Sequence, residues 1–419
     1  MESGNKGQRE KIQEQVTKKK FWQSLRFFIF AFHSFSYRSG RAEKNALSGI
    51  KRGFASHLAA LFSHFITYPF PIYYHLSTLL MSQVASNPSS YPDFTQADSD
   101  LLKTLCGVFA PAGNEGKLRD FMLAYIEANQ SKWKVKPQVF SGSEFQDCIV
   151  MVFGTPRTAV FAHLDSIGFM VRYGNELIKV GSPRAKNGYQ LVGKDSQGDI
   201  LCQIVLEKSL KKSRKAKKKI AQNPHGQNRL YYKFEREIER GTELVFAQDY
   251  RETAEYVQSC YLDDRLGCWN VLKLAESLEN GILVFSCYEE VKGGTVPFLI
   301  KWIYENYKIS QALISDITWV TEGVKHGKGV AISMRDSTIP RRSFVEKIIK
   351  IAKETDIAFQ LEVEESGGSD AKELQSSPYP IDWCFVGAPE SGVHSPDEKV
   401  HKADIQAMLD LYRVLMDKL

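Results

Sequence analysis

His163 closes the apolar run of TAVFAHLDSIGFMV, and Asp165 follows two residues later. A strand ending in His-x-Asp delivers an imidazole to a metal, with a carboxylate to orient it or steer the chemistry. Four further segments carry donors of the same kind. In CYLDDRLGCWNVLKLAESL, Asp263 and Asp264 stand just before an amphipathic helix. An acidic pair there also suits an N-cap and the helix dipole. In GILVFSCYEEVKGG, a buried-strand pattern runs into Glu289 and Glu290, then Gly293 and Gly294. Paired carboxylates at a strand's carboxyl end suit a site at the edge of an open α/β sheet; a solvated strand end is the plainer alternative. Asp316 follows the apolar strand of QALISDITWV and is the only charged residue between Lys308 and Glu322. His394 lies in a loop after another strand, in CFVGAPESGVHSPDEKV, where a lone His also serves structural ends.

Imidazole and carboxylate donors suit zinc, cobalt or manganese, and no Cys is needed. Two such ions about 3.5–4 Å apart need a bridging carboxylate, terminal ligands on each side and a shared water. A remaining carboxylate can take that water's proton as general base. The seven Cys have no C-x-x-C pairing and do not compete as a site. Their odd number, without framework spacing, fits a reducing compartment, so a cytoplasmic location is expected.

These donors need strands and helices to position them. From Asp98 onwards LLKTLCGVF and KLRDFMLAYIEAN read as helices, and CIVMVFG and TAVFAHL as strands. Helices over 264–279, 296–307 and 341–354 alternate with strands over 282–287 and 311–315. A strand-like IAFQLEVEE and a final helix, KADIQAMLDLYRVLMDKL, complete the series. The alternation predicts an α/β fold with a mostly parallel central sheet flanked by helices, ligands gathering at the carboxyl ends of the strands. Between Val171 and Val257 short β-type runs separated by turn residues predict a small inserted β-barrel-like domain. The expected division is an N-terminal extension (1–80), a first catalytic part (81–170), an inserted β domain (171–258) and a second catalytic part (259–419).

With 43% hydrophobic and 25% charged residues, the chain reads as globular rather than disordered. Its net charge of +6 is uneven: residues 1–80 hold 12 Lys+Arg against 4 Asp+Glu, leaving the rest slightly acidic. That extension admits three readings: a mis-assigned start with Met81 as the true one, a membrane or interfacial anchor, or a targeting or partner-binding segment. Membrane association is expected only through it. The basic run Lys208–Lys219 is compatible with a nuclear localisation or nucleic-acid patch. Without aromatic interleaving it reads better as a solvated hairpin loop, and no nucleic-acid partner is expected.

In the order AHLDSIGF, YLDDRLG, EEVKGG, SDIT, GGSDA and VHSPDE, the chain resembles the glutamyl-aminopeptidase-type, or tetrahedral, co-catalytic metallopeptidases with a zinc-peptidase-like fold. The resemblance spans roughly Asp98 to Leu419, with PAGNEGKLRDFM similar to that family's opening helix segment. It implies two divalent metal ions per subunit, zinc first, cobalt or manganese as alternatives. It implies that His163 and Asp316 hold one ion, Glu290 and His394 the other, and that Asp263, joined to Asp264 by a cis peptide, bridges both. Glu289 would be the general base, and Asp165 would hydrogen-bond His163 and raise its basicity. Gly367, Gly368, Ser369 and Asp370 resemble the family's Gly-Gly-Thr-Asp stretch with Ser for Thr. Lys292 departs from a usual Gly, and Gly392 and Val393 from a common Arg-Tyr pair; both changes bear on side-chain preference rather than on hydrolysis. The implied activity is removal of N-terminal residues from short peptides by a homo-oligomer built through the inserted β domain. Three alternatives stand beside it: an N-acyl amino acid deacylase or carboxypeptidase on the same fold, a glycoside hydrolase using paired carboxylates, and a non-catalytic assembly protein. Arg335, Asp336, Arg341 and Arg342 are candidates for the pocket wall or for ordinary surface charge.

Overall fold

A computed structural model describes residues 94–207 and 229–419. The readings of residues 1–80 and of the basic run Lys208–Lys219 lie outside the described residues.

Runs of Val, Ile, Phe and Ala with no polar alternation need cover on both faces. They form the middle of the large sheet: β2 (Ile149–Phe153), β3 (Ala159–His163) and β12 (Gly281–Ser286) have every residue buried. The sheet is completed by β1 (Gln138–Phe140), β13 (Gln311–Trp319), β16 (Asp382–Ser391), β17 (Glu398–His401), β11 (Tyr256–Ser259) and β10 (Arg251–Glu252). Its order is β1-β2-β12-β3-β13-β16-β17-β11-β10, with β14 (Val330–Arg335) against β16 and β15 (Phe359–Val363) against β14. The central strands β12, β3, β13 and β16 run parallel. Antiparallel strands extend them on both sides, so the sheet is mixed. The short loop from β16 to β17 explains part of this, because close neighbours joined without a crossover must be antiparallel.

Strands β4 (Gly168–Val171), β5 (Glu176–Val180), β6 (Gln190–Asp195), β7 (Gly198–Leu206), β8 (Leu230–Lys233) and β9 (Glu243–Phe246) close into a six-stranded barrel. Period-two alternation along β7 turns Ile200, Cys202 and Ile204 inward and leaves Leu201 and Val205 outside. Past the barrel, β11 pairs with β17 and so belongs to the large sheet.

Helix α1 (Gln96–Gly107) starts with a Thr95–Asp98 capping box, and α2 (Gly116–Asn129) follows. Helix α3 (Leu262–Ala275) is buried nearly all round because it lies on β3 and β13 and is covered by α1 and by α7 (Lys402–Lys418). On α7, Tyr412 is fully buried, its hydroxyl 2.6 Å from the Ile314 carbonyl and 2.9 Å from that of Val386. Helix α4 (Val296–Tyr307) brings Trp302 edge-on to Phe140 and Phe145 at 4.8 and 5.3 Å. Helix α5 (Arg342–Lys353) buries Phe344, Val345, Ile348 and Ala352, the spacing of one helical face, and α6 (Ala371–Gln375) is a single short turn. No helix among the described residues is long and apolar enough to cross a membrane.

Candidate metal centre

Parallel pairing sets the site. Ser286 on β12 pairs with His163 on β3, so Glu289 and Glu290 emerge just beyond the level of His163. On the other side Ile314 pairs with Phe161, which puts Asp316 level with His163. Three neighbouring strands thus deliver an imidazole and carboxylates to one edge, as open α/β sheets do. The start of α3 supplies Asp263, and the loop between β16 and β17 supplies His394.

These side chains converge. His163 Nε2 lies 3.2 Å from Asp263 Oδ1 and 4.0 Å from Asp316 Oδ2. His394 Nε2 lies 3.3 Å from Asp263 Oδ2 and 3.4 Å from Glu290 Oε2. The Asp263 carboxylate therefore stands between two imidazoles and turns one oxygen to each. The Asp263–Asp264 peptide is cis. Asp264 also approaches His163 and Asp316, with ligand atoms all within 4.8 Å of one another. Its oxygens are already engaged, accepting the Gly267 N–H at 2.8 Å and the His163 N–H at 3.1 Å. Asp264 thus ties α3 to β3, and Asp263 is the carboxylate left facing the centre.

His163 is fixed from behind. Its Nδ1 sits 3.0 Å from the Asp165 main-chain carbonyl and 3.5 Å from the Asp165 carboxylate, which leaves Nε2 turned to Asp263 and Asp316. The Asp165 carboxylate accepts the Glu289 and Glu290 N–H groups, each at 3.0 Å. It therefore shapes the Glu289–Val291 turn as well as backing the imidazole. That turn follows Tyr288 in the left-handed region (φ 67°), which swings both glutamates back over the strand ends.

Four supports were not assigned a role from sequence. Glu398, fully buried, accepts N–H groups from His394 at 2.8 Å and from Asp263 at 3.3 Å, so one carboxylate locks two donors. Its place four residues after His394 in VHSPDE was the signal. Asp370 accepts the Ser286 hydroxyl at 2.5 Å and pins the GGSDA segment to β12. Arg265, buried at the start of α3, donates to the Leu105 carbonyl at 3.2 Å and to that of Leu164. Glu390 is buried in β16 with neither carboxylate oxygen hydrogen-bonded; no local pattern in the sequence marks it.

The electrostatics fit bound cations. Burial, then the charges of Asp263 and Glu289, push Glu290 well above the usual carboxylate range. Burial, then Asp264 and Asp263, do the same to Asp316. Burial raises Glu289 too, opposed by His163 and reinforced by Asp316, Asp370 and Asp165. Asp263 goes the other way: burial opposes its charge, but the His163 and His394 imidazoles outweigh it. Burial likewise opposes charge on His163, and Asp165, Asp263 and Asp316 outweigh it to lift its pKa well above normal. So many buried carboxylates cannot all be ionised without positive charge among them. Among the described residues Glu290 Oε1 is buried with no hydrogen-bond partner, a lone pair open to an ion. The donor set, two imidazoles and carboxylates with no thiolate, suits hard-to-borderline divalent metals.

A cavity of about 410 Å³ opens on this cluster, lined by Asp263, Glu289, Glu290, Asp316 and His394 and by further residues of β13 and β15. Of the four pocket candidates named from sequence only Asp336 lines it; Arg341 pairs with Asp382 and Arg342 with Glu346, each at an exposed position.

Residues 231–411 match the model of the M42 glutamyl aminopeptidase family. In this match, and in the order of its donor-bearing segments, the chain is similar to the glutamyl-aminopeptidase-type metallopeptidases. The match and the names of the similar proteins indicate a peptide-bond hydrolase, and the matched family is metal-dependent. It is 26% identical over 335 residues to a protein of Acetivibrio thermocellus named as an aminopeptidase, covering 74% of this chain and 96% of that one. An aminopeptidase from Desulfurococcus kamchatkensis superposes with a TM-score of 0.65 at 19% identity, over 77% of this chain and 95% of that one. The Pyrococcus horikoshii TET1 peptidase, described as assembling into a tetrahedron or a large octahedral shell, gives 0.61 at 20% identity, over 77% and 100%. A Thermotoga maritima protein described as an endoglucanase gives 0.56 at 20% identity, over 75% and 96%. At these identities the superpositions establish a shared fold and nothing finer.

Proposed function

We propose that this M42-type peptidase is a di-metal aminopeptidase that removes N-terminal residues from short peptides. The observation that carries the reading is the Asp263 carboxylate held between His163 and His394 with one oxygen toward each. On this reading His163 and Asp316 would hold one divalent ion, Glu290 and His394 the other, and Asp263 would face both. Zinc is the first choice, with cobalt or manganese open to the same donors. When bound, the ions supply the acidity that makes a shared water nucleophilic near neutral pH and polarise the scissile carbonyl.

The rest is done by the chain. Glu289 is partly buried and its carboxyl is held above the usual range, so it accepts the water's proton and returns it to the leaving amine. Asp165 holds Glu289 in place through the main-chain N–H and fixes His163 through its own carbonyl. Glu398 and Asp264 keep His394 and Asp263 in register without facing the substrate themselves.

Residues 81–170 and 259–419 would form the catalytic domain, and residues 171–258, which hold most of the barrel, the dimerisation domain. The barrel's outer face supports this, with Tyr173, Ile178, Leu201 and Val205 exposed. Seven buried free thiols support a reducing, cytoplasmic location.

The test is chelation followed by metal restoration, with turnover read on aminoacyl chromogenic substrates and on peptides with blocked and free N-termini. Activity restored by metal on free N-termini alone supports the reading. Chelator-insensitive hydrolysis of glycosides, or a requirement for a free substrate carboxylate, would replace it with one of the alternatives.

A further inference from the structure

The cavity over the metal centre has a second acidic wall that no role in hydrolysis explains. Thr318 is two residues beyond Asp316 on β13, so the two side chains share a face, roughly 7 Å apart along the strand. The Thr318 hydroxyl donates to Glu362 on β15, and Glu362 is only 4% exposed yet lines the cavity. Asp336, 8% exposed, and Glu364 line the same wall. Asp336 Oδ1 accepts the Thr338 N–H and hydroxyl, both at 2.6 Å, which fixes its carboxylate in place. Among the described residues none of these three carboxylates has an ion-pair partner. Phe385 and Trp319 add apolar lining to the same cavity.

The charge balance is one-sided. Two divalent ions would offset the carboxylates of Asp263, Glu289, Glu290 and Asp316. The remaining lining then holds three carboxylates against Lys292, which sits on the turn beside Glu290 at the metal end. Burial, with Asp336 and Glu364 adding repulsion, already pushes the Glu362 carboxyl up, so a cation arriving there would relieve a cost present in the empty pocket. An aliphatic stem along Phe385 and Trp319 ending in a cationic head matches this wall; a carboxylate side chain meets like charge.

Building on the aminopeptidase reading, we infer that this enzyme selects peptides whose N-terminal residue is lysine or arginine, through Glu362, Asp336 and Glu364. The reacting peptide bond lies at the Asp263 end, and the side chain of the N-terminal residue runs along the β13 face to Glu362. This preference is opposite in charge to the glutamyl specificity for which the matched family model is named.

The test compares kcat/KM of the metal-loaded full chain on lysyl-, arginyl-, leucyl- and glutamyl-p-nitroanilide. Lysyl and arginyl substrates are expected to exceed leucyl by at least about tenfold, with glutamyl lowest. Glu362→Gln should cut the lysyl-to-leucyl ratio by about tenfold, mainly through KM. Glu364→Lys, at a partly exposed position, should lower the same ratio if Glu362→Gln folds poorly. A readout without turnover is calorimetric binding of lysinamide and norleucinamide to metal-loaded Glu289→Gln protein, where lysinamide should bind at least tenfold more tightly. Leucyl turnover equal to or above lysyl, or equal binding of the two amides, overturns the inference and leaves the aminopeptidase reading standing. No turnover of any aminoacyl substrate at full metal occupancy overturns that reading itself.

Discussion

Glu289 and Asp263 face the same centre but fail in different ways when changed. On the proposed mechanism Glu289→Gln keeps the shape and removes the base, so kcat should fall by about 10²–10⁴-fold while metal content measured by mass spectrometry stays at the wild-type value. Full turnover in that variant would remove Glu289 from the mechanism. Asp263→Asn should lose both ions at a chelator concentration where a His394→Ala protein keeps one, because only Asp263 faces both imidazoles. Equal, mild losses at the two positions would speak against a bridged pair. A third residue gives a pH signature. Glu115 is fully buried, with one oxygen accepting the Gly113 N–H at 2.9 Å and the other without a partner. Burial pushes its carboxyl from 4.5 to about 7, with Asp165 adding repulsion and the Gly113 N–H opposing. The folded protein thus keeps this proton to higher pH than the unfolded chain. Its contribution to stability is intact below about pH 4.5, falls as pH rises to about 7, and is flat above. Glu115→Gln should therefore unfold like the parent near pH 4.5 and be more stable above pH 7, by up to about 3 kcal/mol. A melting-temperature gap that closes as pH rises would contradict this.

At the scale of elements, the close approach of α3 to β13 sets the site's depth. A Cβ at Gly267 would lie 2.0 Å from the Ser315 carbonyl oxygen and 2.2 Å from Asp264 Oδ1. Gly267→Ala must push α3 off β13 and disturb the Asp264 hydrogen bonds, at a cost of about 1–3 kcal/mol. A lower melting temperature together with weakened metal retention is the expected pair of results; an unchanged melting temperature would mean that the contact relaxes freely. This region also shows where sequence reading ran short. Apolar runs ending in His163 and Glu289 placed two strand ends well, because a fully buried parallel strand is a short uninterrupted hydrophobic stretch. The run before Asp316 suggested a strand ending at 315, yet β13 continues to Trp319. A carboxylate facing a polar centre interrupts the hydrophobic pattern without interrupting the pairing with β16. The supporting roles of Asp264 and Glu398 were not legible in the sequence, because their bonds reach main-chain N–H groups more than a hundred residues away.

For the whole molecule, the barrel was legible from short β runs spaced by turns, whereas β11 lies beyond it. Only the large sheet's register, which pairs β11 with β17, assigns that strand. The barrel's exposed apolar side chains also carry the assembly proposal. Leu201→Asp, at a position 60% exposed, should shift the protein towards monomer in light scattering after gel filtration without changing its circular dichroism. An unchanged assembly would mean that another surface joins the subunits. The site itself draws on five segments spread over more than two hundred residues, so it is tested by what it binds. The most direct measurement is elemental analysis of the purified full chain, taken through chelation and titration back with zinc, cobalt or manganese while aminopeptidase activity is followed. The account predicts two equivalents per chain in the active protein, loss of both metal and turnover on chelation, and return of turnover as the second equivalent binds. Turnover that persists without metal, or a chain that binds none, would contradict it.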